Sequence, residues 1–108
     1  MEEGRMAAFV RVASVGDVPP GEMMTVQVHG QPVVLANVDG TIYAFSGVCS
    51  HADGPLGRGK LLGDIVACPF HGGQFEVRSG KAVMPPATDD ILTFEMQIEG
   101  EDIKVASP

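Results

Sequence analysis

Cys49-Ser50-His51 and, sixteen residues later, Cys68-Pro69-Phe70-His71 place one thiol and one imidazole in each of two short segments. With three histidines in 108 residues, finding one at a chosen offset from each cysteine is about a one-in-1,300 coincidence. Four such side chains can hold a tetrahedral zinc ion or a sulfur-containing metal cluster. The plainer readings are a disulfide or two buried apolar cysteines, with the histidines as turn residues. Zinc fingers usually put both cysteines on one knuckle and both histidines on a helix, whereas here each segment holds one of each and no helical periodicity is present. Gly47, Gly54-Pro55, Pro69 and Gly72-Gly73 surround the two pairs. Backbone of this composition can curl around a centre and aim amides at it.

The elements that must position these residues read as short strands. Runs at Phe9 to Ala13, Met24 to Val28, Pro32 to Val38, Thr41 to Phe45, Ile65 to Ala67, Gln74 to Val77, Ile91 to Ile98 and Ile103 to Val105 have the spacing of an antiparallel meander. Asp39-Gly40 between two apolar runs predicts a two-residue hairpin that needs positive φ, and His29-Gly30-Gln31, Ser79-Gly80 and Glu99 to Asp102 predict further turns. His29, which has no cysteine partner, reads as a surface or turn residue. The stretch Ala87 to Glu99 is the longest without Gly or Pro, yet Leu92, Phe94, Met96 and Ile98 alternate with period two and read as strand. Gly47 to Lys60 and Met84-Pro85-Pro86-Ala87 read as long shaped loops, the kind of segment that carries function in a small β domain. The predicted class is all-β, in one domain spanning 1–108.

Composition narrows the partners. Hydrophobic residues make up 44% of the chain, too many for disorder, and no apolar run approaches the length that crosses a bilayer. The net charge of −7 disfavours nucleic acid, and it is uneven: −3 over residues 1–45, +1 over 46–86 and −5 over 87–108. The segment holding the candidate ligands is thereby set apart. Met1-Glu2-Glu3-Gly4-Arg5 does not read as an export signal, so the expected location is cytoplasmic, where two cysteines favour metal ligation over a structural disulfide.

The pattern Cys-x-His, spacer, Cys-x-x-His resembles that of the Rieske iron-sulfur proteins. The likeness extends to Leu56, Gly59, Gly63, Gly72, Phe75 and Gly80. It implies an antiparallel β-sandwich with a small cluster-binding subdomain of two loops at about 46–76, and one 2Fe-2S cluster with Cys49 and Cys68 on one iron and His51 and His71 on the other, these histidines being the port for electrons. Two ferric ions, two sulfides and two thiolates sum to zero charge, so the unit of exchange is one electron. In terminal oxygenases of the family a second iron needs two more histidines and a carboxylate, and only His29 remains. The membrane-anchored subunits of respiratory complexes carry two further cysteines, also missing here. The resemblance therefore implies a ferredoxin that passes electrons from a flavin-containing, NAD(P)H-dependent reductase to a terminal oxygenase by weak docking. It implies no membrane, no nucleic acid and no small-molecule substrate of its own. The alternatives are a small subunit similar to that of assimilatory nitrite reductases, or a zinc-stabilised interaction module. Docking is expected on the two loops, with Leu56, Pro69, Pro85 and Pro86 as an apolar rim. High-potential relatives carry a serine two residues and a tyrosine four residues after the second histidine, positions held here by Gly73 and Phe75.

Overall fold

The computed structural model describes residues 9–48, 55–70, 72–84 and 89–106. β2 (Met23–Val28), β3 (Gln31–Val38) and β4 (Thr41–Ser46) form an antiparallel meander whose connections are two residues long. His29 and Gly30 have φ of 51° and 81°, and Asp39 and Gly40 have 53° and 96°. Positive φ at both central residues is the primed turn whose twist matches its strands, so both hairpins form as the sequence predicts, and His29 is an exposed turn residue. β9 (Thr93–Phe94) extends this sheet beyond β4.

Burial along β3 is continuous from Val33 to Asn37 because each face of the strand meets a different core. Val33 and Leu35 pack with Ile42 and Ala44 against Ala13, Ile103 and Val105. Those last three come from a sheet ordered β1 (Phe9–Ser14), β11 (Asp102–Ala106), β10 (Met96–Glu99). Val34 and Ala36 face the other way, packing with Phe45 against Leu56, Val66, Cys68, Phe75 and Val77. That side is closed by a third sheet, β5 (Lys60–Leu62), β6 (Ile65–Ala67), β7 (Gln74–Glu76) and β8 (Ala82–Met84) in sequential order. The all-β expectation holds: among the described residues every pairing is antiparallel and the helical segments are single 3-10 turns at Val15–Asp17 and Leu56–Arg58.

Two expectations are corrected. The run Ile91 to Ile98 is not one strand: Thr93 pairs with Phe45 in the central sheet, while Met96 pairs with Val105 in the outer one. The chain changes sheets at Glu95, so Leu92 and Ile98 are left 69% and 47% exposed, and Ile91, off the alternation, is buried. β5 and β8 were not anticipated, being three residues each with no buried alternation to reveal them. Gly80 joins the β7–β8 hairpin to the central sheet. Its carbonyl accepts from the Ile91 amide at 2.8 Å. A Cβ on Gly80 would stand 2.0 Å from the Ile91 carbonyl oxygen, and its φ of 78° also favours glycine.

Asn37 is buried and its side chain spans two segments, donating to the Val18 carbonyl at 2.7 Å and accepting from the Gly40 amide at 2.7 Å. Asn37→Ala strands both partners, one of them buried. We expect it to destabilise the fold by about 2 kcal/mol, measured by denaturant unfolding with an unchanged m-value.

Candidate metal centre

Of the four candidate ligands, Cys68 is among the described residues; Cys49, His51 and His71 lie outside them, as do Pro85 and Pro86. Cys68 follows β6 directly, is 4% exposed and forms no disulfide among the described residues. Its side chain belongs to the core containing Leu56, Val66 and Phe75. The chain then turns tightly: the Cys68 amide donates to the Gly73 carbonyl at 2.8 Å, and the Gly72 amide donates to the Cys68 carbonyl at 3.1 Å. These two amides are satisfied within the turn.

The second segment is anchored at its base. Gly47 donates to Pro32 at 2.9 Å, Leu56 donates to Gly47 at 3.0 Å, and Val48 bridges Pro55. Val48 and Pro55 therefore form one neck, and Leu56 beside it shares a core with Cys68. Leu56 is fully buried, so it cannot belong to a docking rim as the sequence suggested. It packs in the core with Val66, Cys68 and Phe75. Phe70, between Cys68 and His71, is 58% exposed instead, beside exposed Pro69. Its placement was missed because a turn residue follows no periodicity.

Above Cys68 opens a recess of about 340 Å³, lined by Arg58, Gly59, Lys60, Pro69 and Gly72. A buried thiol at the edge of a recess, with the Val48–Pro55 neck sharing its core through Leu56, fits a sulfur-ligated metal cluster. Gly59 is essential to this arrangement. A Cβ there would lie 1.8 Å from the Ala67 carbonyl oxygen, one residue before Cys68. Backbone must yield, so Gly59→Ala is expected to cost about 2–3 kcal/mol. It should also lower the iron content of the purified protein, read by metal analysis beside the unfolding curve.

Comparison with known proteins agrees with this geometry. The model of the Rieske [2Fe-2S] domain matches residues 8–95. The ferredoxin component of biphenyl 2,3-dioxygenase from Rhodococcus jostii strain RHA1 is 40% identical over 98 residues, covering 91% of this chain and 92% of that one. The ferredoxin of carbazole 1,9a-dioxygenase from Nocardioides aromaticivorans IC177 superposes with a TM-score of 0.90 at 30% identity, over 94% of this chain and all of that one (100%). A ferredoxin structure from a complex of reduced oxygenase and oxidised ferredoxin in carbazole 1,9a-dioxygenase gives a TM-score of 0.87 at 32% identity, over 91% and 92% of the two chains. With its family model spanning most of the sequence and its relatives matched nearly end to end, this chain belongs to the Rieske [2Fe-2S] family.

Proposed function

We propose that this protein is a one-electron carrier, the ferredoxin of a multicomponent oxygenase system, receiving electrons from a flavin-containing NAD(P)H-dependent reductase and delivering them to a terminal oxygenase. Cys49 and Cys68 bind one iron of a Rieske 2Fe-2S cluster and His51 and His71 the other, within one domain over 1–108 whose cluster-binding part is about 46–76. The observation that carries the reading is the near end-to-end match to a dioxygenase ferredoxin component, 91% of this chain against 92% of that one. When bound, the cluster accepts and returns a single electron. The chain's own residues provide the rest. The core around Cys68 holds the thiol side rigid and dry, and the Val48–Pro55 bridge fixes the base of the other loop. Phe70 and Pro69 give the surface beside the site an apolar contact suited to brief docking. No helix among the described residues is long and apolar enough to cross a membrane.

The test is the colour and electron paramagnetic resonance of the purified protein after mild reduction. A Rieske spectrum with two irons per chain is expected. A colourless protein containing zinc would establish the zinc-stabilised module instead.

A further inference from the structure

The protein carries a net charge of −7, but its charges are not interchangeable. Arg11 is paired with Asp102, Arg78 with Asp64 and Lys104 with Glu99, so these cations are locally neutralised. Arg58 and Lys60 are different. Both are exposed, neither enters an ion pair among the described residues, and both line the recess over Cys68. None of the described residues lining that recess is acidic. Their positions are set by backbone: Arg58 donates its amide to Pro55 at 3.0 Å, and Lys60 pairs with Ala67 in the β5–β6 ladder. Asp64 lies at the other end of that hairpin, about 10 Å away by strand rise, and is turned to Arg78.

We infer that Arg58 and Lys60 make the mouth of the Cys68 recess a locally cationic docking surface on an otherwise anionic protein, one that fits an acidic patch on its redox partner. The inference rests on the electron-carrier reading. Its physical basis is that a field near an opening is set by the closest unneutralised charges, while the acids of the terminal segments act from further off and are screened by salt. The acidic remainder repels the same partner, which orients the approach and keeps the complex short-lived.

The test uses two inert inorganic oxidants of opposite charge, tris(oxalato)cobaltate(III) and hexaamminecobalt(III). Each removes one electron from dithionite-reduced protein and becomes cobalt(II). The double variant R58Q/K60Q is compared with K81Q/K104Q, which loses the same formal charge elsewhere. We expect the oxalato complex to react about fivefold more slowly with R58Q/K60Q at low ionic strength, with the ammine complex no slower and with K81Q/K104Q close to the parent. A loss below about twofold, or an equal loss for both oxidants or in both variants, would overturn the inference while leaving the electron carrier intact. Absence of any cluster absorption would instead overturn the carrier reading. A readout without electron transfer is line broadening by redox-inert tris(oxalato)chromate(III), expected at the amides of Gly59 to Leu61. Broadening centred on residues 96–106 would count against the surface.

Discussion

Cys68→Ala is expected to abolish the visible absorption of the purified protein altogether, while the meander of residues 23–46 keeps its protection against amide exchange. The two halves of this result come from different cores. Cys68 packs with Leu56, Val66 and Phe75 on one side of the central sheet, whereas Val33, Leu35, Ile42 and Ala44 are held by Ile103 and Val105 on the other. Alanine keeps an apolar atom in the Cys68 position and loses about 1 kcal/mol or less of packing. Loss of metal binding is a larger effect, because ligand binding to a poorly preformed site is itself folding free energy. Its consequences should be confined to residues 47–73 and the β5–β8 sheet. Cys68→Ser should lose the cluster equally and add the cost of a hydroxyl in an apolar core, so it should unfold more readily than Cys68→Ala. Exchange rates in the 47–73 segment that are the same with and without iron would contradict the account.

Much of this division was legible in the sequence. The primed turns at His29-Gly30 and Asp39-Gly40 announce themselves because few residue pairs accept positive φ twice, and they fix the register of β2, β3 and β4. The ligand spacing was equally plain, since it depends on residue type alone. What stayed hidden depends on distant partners. Phe94 and Met96 look like neighbours on one strand face, but Glu95 lies between two sheets and only the packing of both reveals the break. Leu56 sits amid glycines and prolines in a loop and reads as surface, yet the neck at Val48 and Pro55 turns it fully inward. The short strands β5 and β8 exist because β6 and β7 offer free edges on which to pair, and three residues carry too little pattern to show it.

A reduction potential near the bottom of the Rieske range, which runs from roughly −150 to +300 mV, is the second large expectation. Donors to the cluster sulfurs stabilise the reduced, more negative state and raise the potential. At the two places where high-potential relatives carry hydroxyls this chain has Gly73 and Phe75, and neither side chain can donate. The local backbone adds nothing at Cys68 and Gly72, whose amides are already committed to Gly73 and Cys68 carbonyls. Phe75 is fully buried and shares a core with Cys68, so a hydroxyl placed on its ring enters the same dry surroundings, where a hydrogen bond to a charged acceptor is worth most. A bond of about 1.5 kcal/mol to the reduced state corresponds to roughly 60 mV for one electron. Phe75→Tyr should therefore raise the potential by about that amount. Gly73 does not share the positive φ of Gly72, 77°, so serine meets no conformational bar there and Gly73→Ser should shift the potential in the same direction. Protein-film voltammetry on the parent and the two variants reads all three values. A parent potential near the top of the range would rule out the oxygenase-type ferredoxin, and a tyrosine variant that moves downward would show that the added hydroxyl serves the core rather than the cluster.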